Sequence, residues 1–189
     1  MTRVIGGRFG GRRLSTPPSG TRPTSDMARE GIFSTLTSLL GDLAGLRFLD
    51  VYAGSGAVGL EAWSRGATVT LVESATRAVA TIRANVAQLG EAARDVAVVH
   101  GKVETVAANL ASSGFDVVFA DPPYELPTAK LREVLETLRP ALAPDAVMVV
   151  ERASRDAWGW PGWVEAIRDR RYGDATVWYG RVGAAAKDS

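Results

Sequence analysis

From residue 47 onward the chain alternates short apolar runs with stretches in which apolar positions recur at helical spacing. The runs fall at 47–52, 68–72, 96–99, 115–120 and 146–150, and the helix-length stretches near 57–65, 75–89, 102–112 and 127–139. Runs that are apolar at nearly every position and separated by helices predict parallel strands buried on both faces, so the expected class is α/β. Two further runs, 163–171 and 175–182, are joined by Tyr172-Gly173-Asp174, a tight connection that predicts an antiparallel hairpin at the sheet edge. Ahead of this repeat, Ile32, Phe33, Leu36, Leu39 and Leu40 share one face of a helix that begins near Thr24-Ser25-Asp26, where a hydroxyl or Asp26 serves as the cap. The first residues read as a small hairpin over 3–16, with Gly6-Gly7 and Gly10-Gly11 supplying bends, and Pro17, Pro18, Gly20 and Pro23 form a linker. The chain divides at residue 23, into a hairpin extension with its linker over 1–23 and a main domain over 24–189.

A length of 189 residues with 46% apolar and 23% charged positions fits one globular domain and leaves no room for extensive disorder. There is no cysteine and one histidine, His100, which excludes disulfide frameworks, thiolate nucleophiles and the usual zinc clusters. No apolar run approaches the ~18–20 residues that span a bilayer, and Met1 to Gly7 leads into glycines and arginines, unlike a signal peptide. The expected setting is cytoplasmic, with no membrane partner. Net charge is only +1, yet Arg3, Arg8, Arg12, Arg13, Arg22 and Arg29 face a single acid, Asp26, within the first 29 residues. Such an asymmetry is expected where one end of a protein meets a polyanion.

The first strand-to-helix turn reads Asp50-Val51-Tyr52-Ala53-Gly54-Ser55-Gly56-Ala57-Val58-Gly59, with the spacing G-x-G-x-x-G. Its first two glycines let a ligand approach the backbone, and the third lets helix and strand pack closely. Glu73 ends the second strand, where a carboxylate accepts hydrogen bonds from both hydroxyls of a ribose. Together these predict a nucleoside-cofactor site. Asp50, four residues before the first glycine, would repel a pyrophosphate but suits the ammonium of a methionine moiety, which favours S-adenosylmethionine over a dinucleotide. Aspartate in such a place also serves as a cap or turn residue. After the fourth strand comes Asp121-Pro122-Pro123-Tyr124. A carboxylate and a neighbouring backbone carbonyl accept both hydrogens of an exocyclic amine, the prolines stiffen the loop, and a tyrosine face stacks a base turned out of its helix. Prolines after a strand also simply end pairing.

Leu49 through Ala62 and Asp121 to Tyr124 resemble the cofactor and amine motifs of class I amino-methyltransferases. Val4-Ile5-Gly6-Gly7, Gly11-Arg12-Arg13-Leu14 and Arg22-Pro23-Thr24-Ser25-Asp26, with Arg29-Glu30 and Phe33, are similar to bacterial 16S rRNA guanine-N2 methyltransferases. The resemblance covers nearly the whole chain and weakens after about residue 151. It implies a Rossmann-like fold with a seven-stranded, mostly parallel sheet, helices on both faces and the last strand antiparallel. It implies an N-terminal hairpin that touches RNA through Arg3, Arg8, Arg12 and Arg13, and S-adenosylmethionine as cofactor with no metal. Its cofactor contacts would be Arg22, Thr24, Asp50, Tyr52, Ala53, Gly54, Ser55, Gly56, Glu73, Val103 and Asp121, with Asp121, Pro122, Pro123 and Tyr124 as the catalytic set. The implied partner of the expected monomer is 16S rRNA or an assembling small ribosomal subunit. Lys102 departs from the pattern, since related enzymes often carry Asp or Asn there to touch the adenine. Two competing readings are an adenine-N6 DNA methyltransferase, which the small chain disfavours, and a non-catalytic RNA-binding assembly factor on the same fold. His100 reads as structural, Trp158, Trp160 and Trp163 as a core margin, and Arg168, Arg170 and Arg171 as a solvated face. The sequence assigns Glu61 and Glu151 no role.

Overall fold

A computed structural model describes residues 2–17, 25–90 and 93–183. In chain order the elements are β1 (Thr2–Arg3), β2 (Arg13–Leu14), α1 (Asp26–Leu40), β3 (Arg47–Val51), α2 (Ala57–Ser64), β4 (Thr68–Glu73), α3 (Thr76–Leu89), β5 (Val96–His100), α4 (Val103–Leu110), β6 (Phe115–Ala120), α5 (Thr128–Leu138), β7 (Leu142–Ala153), β8 (Val164–Tyr172) and β9 (Ala175–Val182). The main sheet has seven strands in the order β5-β4-β3-β6-β7-β9-β8. β3 through β7 pair in parallel, and β9 runs antiparallel between β7 and β8.

Alternate residues of the central strands feed two cores. Phe48, Val69, Leu71, Val117, Phe119, Val147 and Val149 pack beneath α1, α2 and α3. Leu49, Val51, Val72, Val118, Met148 and Val150 pack beneath α4 and α5. Burial on both faces is why these strands read as continuous apolar runs. β7 starts four residues before the predicted run, at Leu142, after a register shift against β6 between Phe115 and Val117. Its opening Leu142-Ala143-Pro144-Asp145 carries little apolar signal, because that end of the strand is only partly covered.

The N-terminal hairpin is shorter in pairing and more deeply docked than its sequence suggests. Only Thr2↔Leu14 and Arg3↔Arg13 pair, and a 3-10 turn over Gly7–Phe9 fills the bend. Val4 and Leu14 are buried in the same core as α1 and α2. Glu61, fully buried in the middle of α2, accepts from the backbone N–H of Ile5 at 2.7 Å and of Gly6 at 2.9 Å, and pairs with Arg65 at 2.9 Å. Ser64 Oγ accepts from Phe9 N–H at 2.9 Å. Gly7, at φ +74°, lies so close to α2 that a Cβ would stand 2.1 Å from the Ser64 carbonyl oxygen. Arg29, also fully buried, donates to the Arg3 carbonyl at 2.8 Å and to Asp26 at 2.6 Å. The basic extension therefore completes the core of the main domain.

Candidate cofactor and amine site

The loop after β3 leaves the extended region at once. Tyr52 (φ 63°), Gly54 (φ 57°) and Gly56 (φ 78°) all take left-handed conformations, and the non-glycine among them marks stored strain of a kind that clusters at binding sites. The turn is held from three sides. Ala53 N–H donates to the Val72 carbonyl at 3.1 Å. Glu73 Oε2 accepts from Gly54 N–H at 2.8 Å while Oε1 accepts from Ala75 N–H at 2.8 Å, so one carboxylate braces both the glycine loop and the start of α3. Asn85 Nδ2 donates to the Ser55 carbonyl at 3.1 Å and to the Ser15 carbonyl at 3.0 Å, and its Oδ1 accepts from Ser15 N–H at 2.8 Å.

Asp50 is buried, and its Oδ2 accepts from Gly59 N–H, the third glycine of the motif, at 2.8 Å. The capping role weighed from the sequence is thus present. Burial pushes the Asp50 carboxyl from an ordinary value of 3.8 up to about 7, opposed by the Gly59 hydrogen bond and reinforced by the negative charge of Glu73. Tyr52 is pushed up to about 12, first by burial and then by the charge of Glu104, and its buried hydroxyl has no hydrogen-bond partner among the described residues. Val103 opens α4 and is buried in the second core. Lys102 accepts through its carbonyl from Thr105 and Val106 N–H, making it the cap of that helix by backbone alone.

The register between β3 and β6 sets Val51 opposite Ala120. Tyr52 and Asp121, the next residue on each strand, therefore leave the sheet side by side at its carboxyl edge. In the second loop Asp121 is half-buried, Pro122 buried and Pro123 exposed, while Tyr124 is 51% exposed. Pro123 accepts through its carbonyl from Leu126 N–H at 3.0 Å, closing a turn. Arg152, which has no sequence signal of its own beyond following an apolar strand, braces that turn. Its buried guanidinium donates to the Leu126 carbonyl at 2.9 Å and pairs with Asp156 at 3.1 Å.

Of the four hairpin arginines, Arg3 lies 3.5 Å from Asp26, and Arg8 stacks 4.7 Å from the Phe9 ring centre and 4.9 Å from that of Trp63. Arg12 donates to the Gln88 carbonyl at 3.2 Å, whereas the Arg13 side chain is exposed with no partner among the described residues. Arg22 and Thr24 lie outside the described residues. His100 Nε2 donates to the Ser74 carbonyl at 3.1 Å, a structural bond next to Glu73. Trp158 and Trp160 meet edge to face at 5.3 Å and pack with Trp163 against the second core. Among the described residues no group of three or more His, Asp or Glu is arranged to hold a metal ion, and no helix is long and apolar enough to cross a membrane.

The family described as Conserved hypothetical protein 95 matches residues 2–181. The chain belongs to this family. It is 37% identical over 153 residues to ribosomal RNA small subunit methyltransferase D of Escherichia coli K12, covering 79% of this chain and 73% of the relative. The structure of the Escherichia coli protein yhhF superposes with a TM-score of 0.78 at 32% identity, over 96% of this chain and 98% of that one. A hypothetical protein of Thermus thermophilus gives 0.80 at 30%, over 97% and 100%. The fold read from the alternating pattern, with its antiparallel edge and N-terminal hairpin, stands at the level of both family and architecture.

Proposed function

We propose that the protein transfers a methyl group from S-adenosylmethionine to the exocyclic N2 amine of a guanine in 16S rRNA. The observation that carries this reading is the pairing of β3 with β6, which brings a carboxylate-braced glycine loop and the Asp121-Pro122-Pro123-Tyr124 loop to adjacent strand ends, the switch point where such sheets bind ligands. Ribosomal RNA methylation is the activity in the name of the Escherichia coli relative. The residues present fit the cofactor. A Cβ at Gly54 would meet nothing within 4 Å, so the loop is open to a ligand there, directly beside Glu73. Each Glu73 oxygen accepts one backbone N–H and retains a lone pair for a ribose hydroxyl. Asp50 lies under the loop as the partner for an ammonium. When bound, the cofactor supplies a methyl on a cationic sulfur. Asp121 and the Pro122 carbonyl accept the two amine hydrogens and aim the nitrogen lone pair, Tyr124 stacks the base, and most of the rate comes from placement and excluded water.

Incubation of the purified protein with unmodified 16S rRNA, or with small subunits from cells that lack it, is expected to yield N2-methylguanosine by nucleoside mass mapping. N6-methyladenine formed in a DNA substrate would instead support the adenine reading, and cofactor binding without transfer the assembly-factor reading. Glu73→Ala should weaken S-adenosylmethionine binding by ~1.5–3 kcal/mol, the worth of hydrogen bonds to a charged group. Because Glu73 also braces Gly54 and Ala75, Glu73→Gln separates the roles: it keeps an acceptor for the loop and should lose part of the affinity. Unchanged calorimetric affinity in both variants removes Glu73 from the site.

Asp50 makes cofactor binding pH-dependent. With its carboxyl held near 7, ionisation costs folded-state stability, so the contribution of Asp50 is greatest below 3.8 and is lost as pH rises through about 7. An ammonium beside it reverses the preference and expels the proton. Affinity for S-adenosylmethionine should therefore rise about fivefold between pH 6 and 7, with proton release visible as a buffer-dependent heat. The dependence should flatten in Asp50→Asn; if it persists there unchanged, another group is responsible.

A further inference from the structure

Beside Tyr124 a cleft of about 350 Å³ opens, lined by Tyr124, Ala153, Ser154, Arg155, Arg171 and Asp174. It sits at the carboxyl edge of the sheet. β7 and β8 run in the same direction, each being antiparallel to β9, so their last residues emerge where β3 and β6 end. Ser154 N–H donates to the Asp174 carbonyl at 2.7 Å, and the Ser154 and Thr176 hydroxyls lie 2.9 Å apart, which fixes the two walls against each other. Arg155 is exposed and its guanidinium has no partner among the described residues. Arg171 is held by one bond, from Nε to the Gly173 carbonyl at 2.9 Å, leaving its terminal nitrogens as donors. Asp174 is the only acid on the lining, and no ion pair joins it to either arginine among the described residues.

The arginines of the edge strand β8 are exposed, as expected of a solvated run, but they divide between its two faces. Arg168 pairs with Tyr179 and Arg170 with Val177, residues of the core beneath α1, and the Arg170 guanidinium lies 5.6 Å from the Tyr172 ring centre. Arg171 pairs with Thr176 on the opposite face and turns to the cleft. Lysine or arginine on an edge strand often only blocks unwanted pairing. That role accounts for neither a second cation on the far wall nor the half-exposed tyrosine between them.

We propose that this cleft receives the RNA strand next to the target nucleotide, with Arg155 and Arg171 binding its phosphodiester oxygens. The inference rests on the reading of Tyr124 as the platform for the target base. A base stacked there carries its ribose and phosphates outward along the same wall, and the cleft is large enough for a nucleotide-sized group. Planar guanidinium forks match phosphate oxygens in pairs. Neither arginine touches the amine or the cofactor loop, so both act on substrate binding and register, not on the chemical step.

The test uses the full-length protein, its Arg155→Ala/Arg171→Ala variant and an unmodified 16S rRNA transcript as probe. Binding is measured across a salt series, beside S-adenosylmethionine affinity and melting temperature. The expected result is RNA affinity weakened about tenfold or more near physiological salt and a salt slope smaller by about 1.4, that is ~0.7 for each lost single-strand phosphate contact, with cofactor affinity and melting temperature unchanged. KM for the RNA should rise while kcat at saturation holds, and Arg155→Lys/Arg171→Lys should restore most of the slope but less of the affinity. An unaltered affinity and slope overturn the inference. So does loss of turnover on assembled small subunits with unchanged binding to the protein-free transcript, which would assign the cleft to a ribosomal protein. Failure of the wild-type protein to methylate either substrate strikes the functional reading itself and is seen before any variant is made.

Discussion

Asp121→Ala lowers methyl transfer by about 10²–10³-fold at saturating substrates, the usual cost of removing one preorganised partner of the reacting group, and leaves S-adenosylmethionine affinity near that of the wild type. The expectation follows from position. Asp121 is the first residue beyond Ala120, beside Tyr52 across the β3–β6 pair, while Glu73, Val72 and Asn85 hold the backbone of the glycine loop. Its turn is braced independently through Leu126 by Arg152, so truncation at Cβ should not collapse the loop. Asp121→Asn keeps the shape but places an amide donor against an amine that also donates, and should be similarly slow. Single-turnover rates and calorimetry on the same protein check both halves. Surviving turnover with collapsed cofactor affinity would reverse the assigned roles.

Deleting residues 1–16 is the change expected to cost most stability. Val4 and Leu14 leave the core, each worth ~1.5–3 kcal/mol when buried. Glu61 stays in α2 paired with Arg65 but loses its two backbone N–H donors, and hydrogen bonds to a charged group are worth ~1.5–3 kcal/mol each. The total approaches the ~5–15 kcal/mol that holds a typical domain together. Calorimetric melting of the truncated protein should shift down by tens of degrees, or the protein should fail to fold, and cofactor and RNA binding should fall together. A truncated protein that melts like the wild type would mean that the hairpin is an independent arm. RNA contact is better probed by Arg13→Gln, since the Arg13 side chain has no internal partner among the described residues. That variant should lower the salt slope by ~0.7 without moving the melting temperature.

Strands, helices and the two loops were legible because their signals are local. The apolar runs from Phe48 to Val51 and Val117 to Ala120 betray doubly covered strands, and the spacing of Gly54, Gly56 and Gly59 marks a turn that few other residues can make. What escaped were contacts whose partners are far apart in sequence. Glu61 looks like any helix-surface acid until the N–H groups of Ile5 and Gly6, more than fifty positions earlier, are seen to converge on it. Arg152 carries no sequence signal and Arg171 reads as part of a solvated face, and only the structure reveals that one braces the Tyr124 loop and the other also lines a cleft beside it. Asp50 carried two candidate roles at one position, and a carboxylate with two oxygens has room for both.

Asn85 binds Ser15 and Ser55 with one planar amide, so the end of the hairpin and the glycine loop are separated by a rigid group with no intervening hinge. An enzyme that must align a nucleobase with a methyl group between two much larger molecules is sensitive to errors of about 1 Å, which can cost on the order of 10²-fold in rate. Each joint between the surfaces that grip those molecules would add its own wobble to that error. Here the end of the hairpin and the loop after β3 are bonded to the same side chain of α3, which ties the position of one to that of the other.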